Sequence, residues 1–228
     1  LFNQKDLTGW TVKIAGYAVG ENFGNTFRVE DGLLRVSYDA YEGKFDNSFG
    51  HIFTDKDYAN YKLRIEYRFY GQPLDDTPGW AYLNSGAMLH AQSPESMELD
   101  QSFPVSIEAQ FLSCDEKSGE RTTGNVCTPG TVVSVDGVEQ EDHCSGSGSR
   151  PYNADEWITM EMIVYGDSLV HHIIEGDTIL TYTDLEIDGK GMELPEGLQP
   201  GRLKSGRIAV QSEGHPVEFR KIEILELK

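Results

Sequence analysis

Between Phe103 and Leu112 apolar and polar side chains alternate without a break. Val105, Ile107, Ala109 and Phe111 share one side, and Ser106, Glu108 and Gln110 the other. A period of two places successive side chains on opposite faces, so this stretch predicts a strand with one face in a core. The same pattern recurs at Tyr61–Tyr70, where Leu63, Ile65, Tyr67 and Phe69 oppose Lys62, Arg64, Glu66 and Arg68. It returns at Gly206–Glu213, where Ile208 and Val210 oppose Ala209, Gln211 and Glu213. Shorter runs predict strands at Trp10–Ile14, Thr26–Glu30, Leu33–Tyr38, Gly50–Thr54, Thr131–Val135, Trp157–Tyr165, Leu169–Glu175, Thr178–Thr183 and Val217–Leu227, with a further strand-like stretch within Trp80–Ala91. Asp31-Gly32 reads as a hairpin turn, and Asp136-Gly137, Gly166-Asp167 and Gly176-Asp177 as further turns. Many short strands, glycine-rich turns and no internal repeat predict an all-β sandwich of two sheets.

The length of 228 residues suits one such domain spanning 1–228. The 38 acidic residues outnumber the 19 basic ones, for a formal charge of −19 at pH 7. A surface of that sign does not neutralise phosphates, which argues against nucleic acid and anionic membranes as partners. No apolar run reaches the ~20 residues of a bilayer span. The chain begins at Leu1, which is the expectation for a form trimmed of an export signal.

From Ser113 to Tyr152 regular patterning nearly vanishes, the reading being an ordered functional loop with Ser145-Gly-Ser-Gly-Ser149 as its tip. Cysteines stand at 114, 127 and 144, without a CxxC pair, so a structural zinc site is disfavoured. A Cys127–Cys144 disulfide would staple the excursion and leave Cys114 free; the sequence leaves the other pairings open.

Two strands carry a glutamate two residues from a glutamine on one face, Glu108/Gln110 and Gln211/Glu213. A polar row is ordinarily a solvated face, but this pairing offers the acceptors and amide donors that a sugar-binding floor needs. Glu66 between Arg64 and Arg68 is a weaker candidate, since a charged row of that kind usually faces water. Gly86, inside a strand-like stretch, predicts a bulge or a close backbone approach. Glu108-Ala-Gln110 lacks the Asp and second Glu of laminarinase-like glycosidases, and Glu98-Leu-Asp100 meets Phe103 where they carry Glu. No GxSxG, HExxH or phosphate-loop motif occurs.

The motifs resemble a known family. Leu1-Phe-Asn-x-Lys-Asp-Leu-x-Gly-Trp10, Tyr61-x-Leu-x-x-Glu-Tyr-Arg68, Asn84-Ser-Gly86, Ile107-Glu-x-Gln110, Gly206-x-Ile-Ala-x-Gln-Ser-Glu-Gly214 and Val217-Glu-Phe-Arg220 are similar, in order, to the bacterial 3-keto-disaccharide hydrolase domain. Gly124-Asn-Val-Cys-Thr-Pro-Gly-Thr131 with Asp142-His-Cys144 resembles a subgroup of it. The resemblance implies a concanavalin-like jelly-roll sandwich of two curved antiparallel sheets, carbohydrate on the concave face, and a periplasmic or extracellular location.

The implied chemistry cleaves a glycoside already oxidised at carbon 3. The ketone acidifies the carbon-2 proton, a base removes it, the carbon-1 oxygen leaves, and water adds back. On this reading Glu108, Glu213 and His143 are the catalytic candidates. Gln110, Gln211, Glu66, Asn84, His90 and Tyr82 are substrate-binding candidates, with Trp80 and Tyr82 as stacking surfaces. The sequence establishes no cofactor; a divalent cation such as calcium, held by loop carboxylates or by Glu213 in place of its catalytic role, is an open expectation. A non-catalytic carbohydrate-binding module on the same sandwich is the alternative.

Overall fold

A computed structural model describes residues 1–189 and 191–228. The alternating stretches become neighbours in two antiparallel sheets. One has seven strands in the order β1 (Trp10–Ile14), β4 (Gly50–Thr54), β16 (Arg207–Ser212), β6 (Asn84–Ala91), β7 (Ile107–Leu112), β8 (Asn125–Cys127) and β11 (Cys144–Ser145). The other runs β10 (Val138–Glu139), β9 (Thr131–Val135), β14 (Asp177–Ile187), β13 (Leu169–Ile174), β12 (Ile158–Tyr165), β5 (Asn60–Phe69), β17 (Val217–Glu226), β3 (Leu33–Val36) and β2 (Phe27–Glu30), with β15 (Gly201–Arg202) on β14. The result is an all-β jelly-roll sandwich.

The core lies between the sheets. Leu63, Ile65, Tyr67 and Phe69 of β5 face Ile52, Ala87, Ala109, Phe111 and Val210 of the seven-stranded sheet, all of them buried. Tyr67 stacks on Phe111 with ring centroids 4.2 Å apart. Trp10, at the head of β1, is buried in this core. Because β-strand side chains alternate, filling the core with these residues turns Glu108, Gln110 and Gln211 to the outer face of their sheet.

The Ser113–Tyr152 excursion is richer in strands than its sequence predicts, containing β8, β9, β10 and β11. Of these, β9 falls at the predicted Thr131–Val135; β8, β10 and β11, at two or three residues each, are too short to carry a legible period. Cys127 and Cys144 are paired in register and joined by a disulfide. Ser145–Ser149 is no free tip: Ser147 Oγ donates to the Thr123 carbonyl at 2.6 Å, Ser149 Oγ accepts from the Thr123 amide at 2.8 Å, and the Gly148 amide donates to Ile179 at 2.8 Å. Likewise β14 runs past its predicted end at Thr183, because the register shift between Thr183 and Glu186 resumes pairing with β9.

The bulge in this sheet lies not at Gly86, which pairs regularly with Gln110, but where β6 meets β16 around His90. His90 takes a left-handed φ of 51° there. Gly206 makes this crossing tight: a Cβ on it would lie 2.5 Å from the His90 carbonyl carbon and 2.7 Å from the Ala91 oxygen. Backbone cannot yield as a side chain can, so Gly206→Ala should destabilise the fold by about 3 kcal/mol, the upper part of the overpacking range. A denaturant midpoint shift at unchanged m-value checks this.

Candidate active site

The face carrying Glu108 opens into a cavity of about 720 Å³. Strands provide its floor: Asn84 from β6, Glu108 and Gln110 from β7, and Glu213 just beyond β16. Loops provide its walls, with Trp80 and Phe103 among the lining side chains, and Pro129, Met192 and the Cys127–Cys144 disulfide among the rest. Glu141, Asp142 and His143 stand exposed at the rim.

Glu108 and Glu213 converge although 105 positions separate them in sequence (213 − 108). The strand order explains this. β6 alone separates β7 from β16; Glu108 is paired with Met88 and lies diagonally from Gly86, the partner of Gln110. A Cβ at Gly86 would stand 2.5 Å from Glu108 Oε1 and 2.7 Å from its Cγ. The missing side chain is therefore the space into which Glu108 leans.

Both carboxyls are buried, at 5% and 3% exposure, and among the described residues neither forms an ion pair. Glu108 Oε1 and Glu213 Oε2 have no hydrogen-bond partner. Glu213 Oε1 receives only a long contact, 3.4 Å, from Gln211 Nε2. Burial disfavours the charged form and lifts Glu108 to about 8. Glu213 is raised well above the carboxylate range by burial and by the charge of Glu108. At neutral pH Glu108 is thus part ionised and able to accept a proton, whereas Glu213, raised by burial and by that charge, keeps one to give.

Other floor residues are only half satisfied. Gln110 Oε1 accepts from Asn125 Nδ2 at 3.0 Å, which leaves the amide nitrogen as the donor it can offer. Asn84 Nδ2 donates to the Trp80 carbonyl at 3.2 Å, and its Oδ1 is buried without a partner. His143 is set at the mouth by β11, its carbonyl accepting from the Thr128 amide at 3.0 Å. Among the described residues the one close grouping of His, Cys and carboxylate ligand atoms is Cys127, His143 and Cys144, whose two sulfurs are already bonded to each other.

Four sequence candidates lie elsewhere. Glu66 is on the outer face of the ten-stranded sheet, held by the Arg220 guanidinium and by Lys221 Nζ at 3.4 Å. His90 is turned inward by the bulge, its ring nitrogens facing the carbonyls of Leu203 at 3.1 Å and Ala59 at 3.3 Å. Tyr82 gives its hydroxyl to Asp115 at 2.5 Å and lines a separate hollow with Lys117 and Arg121. Gln211 is fully buried behind the cavity wall, where its amide holds Glu213 and does not line the cavity itself.

The family model for the 3-keto-alpha-glucoside-1,2-lyase-like domain matches residues 1–225. The chain belongs to that family. As a 3-keto-alpha-glucoside-1,2-lyase-like domain it has structural relatives among carbohydrate-active proteins. A Parabacteroides distasonis protein classed as a glycosyl hydrolase shares 20% identity at a TM-score of 0.56, covering 100% of this chain and 93% of that one. The alginate lyase AlyC3 shares 12% identity at a TM-score of 0.57, covering 98% and 92%. At these identities the likeness is one of fold. No curated protein sequence matches the chain. The family description is one of carbohydrate chemistry, and among the described residues no helix is long and apolar enough to cross a membrane.

Sequence reasoning about this 3-keto-alpha-glucoside-1,2-lyase-like domain missed Phe103, Met192 and the wall-forming role of the disulfide. It also missed His51, a fully buried histidine whose ring nitrogens have no partner and whose cross-strand neighbour is Gln211. The only signal for His51 is its place opposite Gln211, which requires the strand order to read.

Proposed function

We propose that this protein cleaves the glycosidic bond of 3-keto-glycosides, 3-keto-disaccharides included, by elimination followed by hydration. The observation that carries this reading is the buried pair Glu108 and Glu213 in one cavity, the first part ionised at neutral pH and so able to act as base, the second keeping its proton. Glu108, raised to about 8, takes the carbon-2 proton. The electrons of that C–H bond form the enolate, then the carbon-1–carbon-2 double bond as the C–O bond breaks. Glu213 gives its proton to the departing oxygen. Water then adds its hydroxyl to carbon 1, Glu213 takes back a proton from it, and Glu108 returns one to carbon 2. The amide nitrogen of Gln110 is the donor for the enolate oxygen, and Asn84 Oδ1 the acceptor for a sugar hydroxyl. His143 closes over the bound sugar from the rim.

The disulfide supports an oxidising, extracytoplasmic compartment.

Turnover of a 3-keto-glucoside in heavy water tests the route. The released 3-keto sugar should carry deuterium at carbon 2, and the unoxidised glycoside should survive. Cleavage without deuterium, or of the unoxidised glycoside, overturns the elimination; heat of binding without product assigns the chain to a binding module. Glu213→Gln should slow an alkyl 3-keto-glucoside about 100-fold or more. It should slow a nitrophenyl one far less, because a phenolate leaves without help from an acid; kcat across both leaving groups checks this.

A further inference from the structure

The two halves of the cavity differ in chemistry. The hydrogen-bonding groups Asn84, Glu108, Gln110 and Glu213 sit on the strand floor, whereas the loop walls are largely apolar. Trp80 is 55% exposed, the largest exposed side chain lining the cavity, and its ring is stacked on Phe49 at 5.6 Å and 12°. Phe103 supports both rings, lying 5.0 Å from Phe49 and 6.5 Å from Trp80. A platform so braced loses little freedom when a flat group settles on it.

Beyond it the wall has Pro129, Met192 and the Cys127–Cys144 disulfide, with no strong side-chain donor or acceptor, and Thr128 and Thr131, whose hydroxyls donate to the carbonyls of His143 and Ser106. Met192 is seated against Gly130, where a Cβ would come within 2.8 Å of its sulfur. Methionine beside an aromatic slot is an adaptable, polarizable wall suited to apolar rings of varied outline. Glu141 and Asp142 at the rim, in a chain of net charge −19, repel anionic groups. The cavity of about 720 Å³ is of the size that takes a drug-sized ligand.

We infer that the wall side of this cavity, framed by Trp80, Phe103 and Met192, is a leaving-group subsite for a neutral, apolar, ring-bearing alcohol, in preference to a second sugar or a uronate. The inference rests on the proposed cleavage for its catalytic readout. The sugar is held at the floor by Gln110 and Asn84, and the aglycone lies across the Trp80–Phe49 stack. A second sugar would need hydroxyl partners on that wall; a uronate would meet Glu141 and Asp142.

Three 3-keto-glucosides test it, with 2-phenylethanol, a second glucose and a glucuronate as leaving groups. All three are aliphatic alcohols that leave with the proton of Glu213, so intrinsic reactivity differs little. The phenylethyl compound should be cleaved with a kcat/KM about tenfold above the disaccharide, the gain expected for burying a phenyl group in part, and the glucuronate most slowly. Trp80→Ala should erase the preference, lowering kcat/KM for the phenylethyl compound about tenfold more than for the disaccharide, its exposed position sparing the fold. Equal or reversed preference, or an equal loss on both neutral substrates in Trp80→Ala, overturns the subsite.

Should none be cleaved, the proposed reaction fails separately, and the subsite is then read by tryptophan fluorescence titration. Quenching by 2-phenylethyl glucoside at concentrations where maltose has no effect supports it, and no discrimination refutes it.

Discussion

Glu108→Gln should abolish turnover of a 3-keto-glucoside, with kcat down by about 10³-fold or more, while the protein folds as before. General acid–base groups contribute about 10²–10⁴, and Glu108 is the carboxyl whose first ionisation lies nearest neutrality. Glutamine fills the same space beside Gly86 and keeps one oxygen, so only the proton chemistry changes. The same variant has a stability signature. Burial lifts Glu108 from 4.5 to about 8, so the folded state holds a proton that the unfolded chain gives up. That contribution is complete below about pH 4.5 and is lost as pH climbs through about 8. The native protein should therefore melt at progressively lower temperature across that window, and Glu108→Gln should flatten the slope. Thermal melts at pH 5, 6, 7 and 8 beside single-turnover kinetics check both halves. A variant that turned over normally removes Glu108 from the chemistry.

Gly86→Ala should be nearly as damaging although it leaves every polar group in place. The new methyl would sit 2.5 Å from Glu108 Oε1 and 2.7 Å from Cγ, so the carboxyl cannot stay where it is. Displacing a catalytic group by an ångström costs about 100-fold in rate. Repacking should cost about 1–3 kcal/mol of stability. Kinetics and a denaturant melt on the same preparation separate the two effects. Full activity would show that the leaning position of Glu108 is not the reactive one.

The distance at which sequence reasoning works is set by the period of the strand. Alternation is local, so the faces of β7 and β16 were legible, and with them the orientation of Glu108, Gln110 and Gln211. That the two strands share one cavity was signalled only by their repeated Glu/Gln spacing. The order β16-β6-β7 that makes it so is a long-range property of the fold. Glu66 misleads because a charged alternating row looks the same on either sheet. His90 misleads for a different reason: Gly86 and Met88 face outward, but the bulge adds one residue and turns His90 in against Tyr61, at 5.8 Å between rings. A single inserted residue reverses a face, and nothing local announces it. Trp80, Phe103 and Met192 come from loops, where no period exists to read. The disulfide pairing became decidable only once β8 and β11 were set side by side.

The four outermost strands of the two sheets are β1, β11, β10 and β2, with five, two, two and four residues. An unpaired ladder invites a foreign strand in proportion to its length and flatness. At β11 the ladder is two residues long and riveted to its neighbour through sulfur. The covalent bond that shapes the cavity wall therefore also blunts the margin beside it, which makes this molecule a poor template for lateral stacking even when crowded.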